Sequence, residues 1–139
     1  MTGFLLDTNI LSNLIKPAPS PGLLAWMSKQ SDDQLFISTM TLAEIWKGIL
    51  ELPRGARRTG LETWYRGPEG PEALFTGRIL SFDQRAALVW ARLMADGKRS
   101  GKPRSPLDMI VAAIAAVHDC RVVTDNSRDF AGMDVLNPV

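Results

Sequence analysis

Asp7, Glu44, Asp108 and Asp125 are the residues of this sequence whose type and spacing could do chemistry, because each follows closely on a segment that reads as a strand or opens a helix. In an open parallel sheet, the strand ends that lead into helices share one edge, and ligands bind in the crevice there. Four acids scattered over the chain would then meet in space. Gathered carboxylates repel one another and rise in pKa, so a fold that keeps them together is expected to hold a cation. The donor type selects the ion: an all-oxygen set without His or Cys suits Mg²⁺, with Mn²⁺ as substitute, and disfavours zinc or copper. Such a centre is suited to phosphodiester hydrolysis, in which the metal lowers the pKa of a water and stabilises charge on the attacking and leaving oxygens. With His118 the one histidine of the chain, no Ser-His-Asp or Cys-His set competes.

Taken singly, each acid has a plainer reading. Thr41 to Glu44 fits a T-x-x-E capping box, and Ser105-Pro106-Leu107-Asp108 reads as an N-cap, a proline at N1 and an acid at N3. Acids are favoured in first helical turns by the macrodipole in any case. Other phosphate chemistries are disfavoured by motif. The chain has neither a G-x-x-x-x-G-K-[ST] loop nor a G-x-G-x-x-G after the first strand. A D-x-D-x-T phosphatase start is broken by Asn9, which stands where that chemistry needs its general acid.

The elements that must position these acids form one alternating series. At 139 residues, 45% hydrophobic and 22% charged, the chain is expected to make one soluble domain over residues 1–139 with a sizeable core. Strands are predicted at GFLL, QLFIS, RILSF and RVVT, with a small one near the C-terminus. Helices are predicted at NILSNLI, PGLLAWMSKQ, TLAEIWKGILEL, RGARRTGLETWY, QRAALVWARLMADGK with Asp83 as N-cap, and LDMIVAAIAAVHDC. RGPEGPE reads as a turn, GKRSGKPRSP as a break between helices, and the stretch from Asp125 to Asp134 as a turn. No apolar run reaches the ~20 residues of a membrane span, and the N-terminus lacks the marks of a signal peptide, so a cytoplasmic protein is expected. Cys120 has no partner cysteine, and with His118 it is placed near a helix end as an ordinary residue.

LLDTNIL at 5–11, ISTMTLAEIWKGI at 37–49, SPLDMIVAAIA at 105–115 and VVTDNSRDF at 122–130 resemble, in order and spacing, the PIN-domain ribonucleases, specifically the VapC-type toxins of toxin–antitoxin pairs. GRILSFDQRAA at 77–87 is similar to their FitB-like branch. The resemblance implies an α/β fold, a single PIN-like α/β/α sandwich around a central parallel β-sheet. It also implies Mg²⁺-dependent endoribonuclease activity, with transfer RNA a frequent target. The implied partners are a second copy of the chain in a homodimer and a cognate VapB-type antitoxin, in a larger toxin–antitoxin complex. Asp7, Glu44 and Asp108 match the family's three acids, Asp7 and Asp108 as direct metal ligands and Glu44 acting through metal or water. Asp125, Asn126 or Asp129 fills the fourth place, with Asp125 preferred. Thr8, Asn9 and Asn126 are expected to hydrogen-bond and orient the acids.

An acidic pocket repels RNA unless cations lie nearby. Lys98, Arg99, Lys102 and Arg104 lead straight into Asp108, and Arg54, Arg57 and Arg58 follow the Glu44 helix. Both groups read either as phosphate contacts or as solvated surface. Trp90 fits the apolar face of its helix, whereas Trp46 and Trp64 are candidates for a partner surface. The competing functional class is a catalytically inert PIN-like module that binds RNA or protein, against which stands the retention of all three central acids. A DNA nuclease of related fold is disfavoured by the short chain.

Overall fold

Short apolar runs bounded by polar residues suit parallel strands, because both faces of such a sheet are covered. In the computed structural model, which describes residues 3–130 and 132–139, they form β1 (Gly3–Leu6), β2 (Leu35–Ser38), β3 (Ile79–Leu80), β4 (Cys120–Val123) and β5 (Val135–Leu136). The order across the sheet is β3-β2-β1-β4-β5 and every pairing is parallel. Strand alternation divides the core. Leu5, Phe36 and Val122 face a cluster built on α6 (Gln84–Arg99) and α7 (Pro106–Val117), while Leu6, Leu35, Ile37 and Val123 face Ile10, Leu23 and Phe75. The latter come from α1 (Thr8–Leu14), α2 (Pro21–Ser28) and the end of α5 (Pro71–Leu74). The result is the expected α/β/α sandwich. At about 1.5–3 kcal/mol for each fully buried Leu, Ile or Val, this packing outweighs any single polar contact at the sheet edge. The strand ends are therefore a rigid base for that edge.

The two remaining helices, α3 (Thr39–Leu50) and α4 (Ala56–Arg66), pack on each other beside β2. α3 corrects the capping box: Ser38, the last residue of β2, is the N-cap and its hydroxyl accepts from Thr41 N–H. The helix thus starts two residues early, which carries Glu44 from the first turn into the second. RGPEGPE is partly helical, because Pro71 pre-sets φ at the first position of α5. RILSF is ordered as strand only at Ile79 and Leu80, the two residues that pair with Ile37 and Ser38 at the sheet margin. α6 runs on to Arg99, shortening the predicted break, and Cys120 opens β4 instead of ending a helix. Asp83 caps α6 and Ser105 caps α7, with Pro106 at its start, as expected. The turn expected before β5 crosses residue 131, outside the described residues; its first part is a 3₁₀ turn at Ser127–Phe130.

Candidate metal centre at the sheet edge

The strand order changes direction at β1, with β2 on one side and β4 on the other, and crevices form outside the carboxyl ends of strands at such a switch point. Asp7 follows β1 there. It is 5% exposed and caps α1, its Oδ1 accepting from Thr8 N–H at 2.9 Å. Oδ2 accepts from the Thr124 hydroxyl at 3.0 Å and from Asn9 Nδ2 at 3.3 Å. The plain capping reading is therefore realised through Oδ1, while Thr124 and Asn9 hold Oδ2 at the sheet edge.

Thr124, fully buried at the end of β4, organises this corner. Its oxygen also accepts from Asn9 Nδ2 at 3.1 Å and from Asn126 N–H at 3.0 Å. Asn9 in turn accepts from Asp125 N–H at 3.0 Å, so α1 and the β4 loop are stitched together. Glu44 reaches the edge from α3, where its Oε1 accepts from the Thr8 hydroxyl at 2.6 Å. Thr41 Oγ1 lies 3.1 Å from that same hydroxyl.

Burial lifts the Asp7 carboxyl above its ordinary range; donation from Thr8 and Thr124 opposes this, and the charges of Glu44 and Asp125 add to it. Asp108, in the first turn of α7, is also raised. Its burial is the main cause, with hydrogen bonding to Ser105 opposing, and with Asp7 and Asp129 adding repulsion. Asp129 stands beside the Asp108 carboxyl and accepts from Asn126 Nδ2 at 2.6 Å. The candidates for the fourth place thus divide: Asp125 acts on Asp7, Asp129 on Asp108, and Asn126 holds Asp129.

Asp7, Glu44, Asp108, Asp125 and Asp129 are one electrostatically coupled group, brought together from four stretches of chain. Among the described residues, no three acids stand close enough to ligate one ion directly. The donor set is all oxygen, and two of its carboxyls are pushed toward protonation. It therefore fits a hard divalent cation that keeps water between itself and part of the set, as Mg²⁺ does.

The other sequence candidates are placed as follows. Lys98 and Arg99 sit exposed in the last turn of α6, where cations favour the helix dipole, and Arg99 lies 3.7 Å from Asp96. Arg104 is a strap: its Nη1 donates to Leu93 C=O at 2.9 Å. Lys102 stays exposed beside it. Arg58 is tied to Glu62 and to Leu52 C=O, leaving Arg54 and Arg57 exposed. Trp90 packs against the core as expected and donates to Pro106 C=O at 3.0 Å. Trp46 stacks within the chain on Tyr65 and under Arg66, and Trp64 lines an apolar cavity with Leu11, Leu14 and Phe75. His118 caps the end of α7 and its carbonyl accepts from the Cys120 thiol. Thr124 and Arg128 carry no sequence signal for these roles, and Thr41 and Ser105 are read from sequence as helix caps alone.

The PIN domain family model matches residues 4–136 of the chain. VapC ribonuclease Y4jK of Sinorhizobium fredii is 38% identical over 135 residues, which is 96% of this chain and 95% of that protein. The tRNA(fMet)-specific endonuclease VapC of Shigella flexneri is 30% identical over 135 residues, 94% of this chain and 91% of that protein. The crystal structure of FitAcB from Neisseria gonorrhoeae superposes with a TM-score of 0.88 at 31% identity, covering 97% of each chain.

Proposed function

Since this chain belongs to the PIN-domain family, we propose that it is a ribonuclease toxin of a toxin–antitoxin pair, hydrolysing RNA phosphodiesters with a divalent cation, Mg²⁺ or Mn²⁺ in its place. The observation that carries the reading is the coupled group of acids at the switch point of the sheet, held by Thr8, Asn9 and Thr124. Asp7 and Asp108 would hold the ion, and Glu44, fixed by Thr8, would act through it or through a water. When bound, the ion supplies an activated water and neutralises charge at the phosphate. The chain's own work is to hold the carboxylates at fixed orientation: with both Asp7 oxygens accepting hydrogen bonds, its ring of neutral donors leaves charge available for a cation without supplying a competing Lys or Arg.

Likeness to VapC ribonuclease Y4jK supports ribonuclease activity, and likeness to the tRNA(fMet)-specific endonuclease makes tRNA the first substrate to try. Likeness to FitAcB, at 31% identity, and to the toxin–antitoxin complex from Klebsiella pneumoniae, at 27%, makes an antitoxin the expected partner. A second copy of the chain is supported by Phe82, Leu88 and Leu107, apolar side chains exposed before and along the starts of α6 and α7.

The test is cleavage of total cellular RNA and of tRNA by the purified protein in Mg²⁺, in Mn²⁺ and in EDTA, beside Asp7→Asn and Asp108→Asn. Cutting that requires metal and falls at least ~100-fold in both variants supports the proposal, a loss of the size expected when a metal site is disabled. Equal behaviour of all three proteins would return the reading to an inert binding module.

A further inference from the structure

Beside the acids lies a region of opposite charge. A polar cavity of about 170 Å³ is lined by Ser100, Lys102, Arg104, Ser105, Arg128 and Asp129, where the α6–α7 loop meets the 3₁₀ turn. The loop is firmly built. Gly97 has no Cβ because one would come within 3.0 Å of the Arg104 side chain, which lets the loop lie directly on α6. Lys102 N–H and the Ser100 hydroxyl both donate to Gly97 C=O, at 3.0 Å each. Gly101 turns the chain at φ 75°, a conformation that favours glycine. Arg104 closes the strap on Leu93.

Among the described residues, Lys102 and Arg128 have no ion-pair partner, and they reach the cavity from two segments of the chain. Asp129 is the one acid of the lining, and its Oδ2 is engaged by Asn126. Ser105 joins cavity and acids: it lines the former, accepts Asp108 N–H at 3.3 Å and hydrogen-bonds the Asp108 carboxyl. Two cations lining a cavity that Ser105 and Asp129 join to the acids suit an extended polyanion, with one phosphate at the acids and the next against Lys and Arg.

We propose that this cavity is a phosphate subsite, in which Lys102 and Arg128 hold a backbone phosphate of the RNA strand adjacent to the one presented to the acids. The inference rests on the proposed function and deepens it by assigning a separate binding element, one that is independent of metal. Arg104 shapes the cavity and adds positive charge without leaving its carbonyl.

The experiment is a titration of inorganic phosphate into metal-free protein in EDTA, followed by amide chemical shifts, for wild type, Lys102→Ala, Arg128→Ala and Asp129→Asn. Saturable shifts at residues 100–105 and 127–129 are expected. Loss of either cation should weaken them about tenfold, the effect of one charge-assisted contact, and Asp129→Asn should strengthen them. A short RNA oligonucleotide should displace the phosphate. Absence of saturable shifts there, or equal affinity in all four proteins, overturns the subsite. Phosphate binding that RNA does not displace overturns its assignment to the RNA strand. If displacement holds while wild type cuts no RNA under any metal condition, the proposed function fails and the subsite stands.

Discussion

Two adjoining regions of this protein solve opposite electrostatic problems. At the switch point of the sheet, five carboxylates are coupled, and those of Asp7, Glu44 and Asp129 accept from hydroxyls, amides and a backbone N–H. Across Ser105, the neighbouring cavity gathers Lys102, Arg104 and Arg128 around a single acid. Cancelling these charges against each other in exposed ion pairs would add little stability. Keeping them apart leaves one region seeking a cation and the other an anion, which is what a metal-bridged phosphodiester offers in combination.

The strongest way to break the comparison is to supply the cation. A divalent ion that binds only the folded state should stabilise it by about 2.7 kcal/mol at a hundred times its Kd. Thermal unfolding in Mg²⁺ against EDTA reads this directly, without any substrate. The gain should be largely lost in Asp108→Asn and kept in Arg128→Ala. A gain of equal size in Asp108→Asn would mean that the ion binds elsewhere.

Thr124→Val tests the neutral scaffold of the acidic side. The hydroxyl is fully buried and serves Asp7, Asn9 and Asn126, so removing it leaves polar groups unsatisfied at a cost of about 1–3 kcal/mol. RNA cleavage should fall roughly tenfold to a hundredfold as Asp7 loses its orientation. Thr124→Ser, which retains the oxygen, should recover most of both in denaturation and cleavage assays.

That residue also marks the limit of what the sequence discloses. The strand segments GFLL, LFIS and RVV, the capped helices α6 and α7, and the acids that follow strands or open helices are readable, because hydrophobic runs, Asp83 and Ser105-Pro106 are local signals. Thr124 is not, since its meaning lies in a hydrogen bond to a residue 117 positions away. Arg104 was read with the basic cluster and proves to be a strap, because its contact with Leu93 and Gly97 exists only after the loop folds back. Arg128, between Ser127 and Asp129, carries no local signal for the same reason. The capping box at Thr41 failed on competition: Ser38 offers a hydroxyl one turn earlier, at the natural end of β2.

The pH dependence sharpens the contrast further. Asp7 and Asp108 hold their protons more tightly in the folded state than their ordinary value of 3.8. A raised folded-state pKa contributes stability that is present below the unfolded value and is lost as pH rises through the folded one. In EDTA, the wild type should therefore lose stability relative to Asp108→Asn as pH climbs from the low carboxylate range toward neutrality. Urea midpoints across that range would check it, and parallel curves for the two proteins would remove the claim that Asp108 is held under repulsion.

The smallest effect concerns the residue the two regions share. Ser105→Ala removes the N-cap of α7, worth about 1 kcal/mol, and also the hydroxyl that hydrogen-bonds Asp108 and so opposes its upward shift. Ser105→Asn retains capping ability and should restore most of the stability in chemical denaturation. Whether Asn also restores metal binding separates the two duties of Ser105. Recovery of stability without recovery of Mg²⁺-dependent stabilisation would show that the hydroxyl is needed to aim Asp108, while recovery of both would reduce its role to that of a cap.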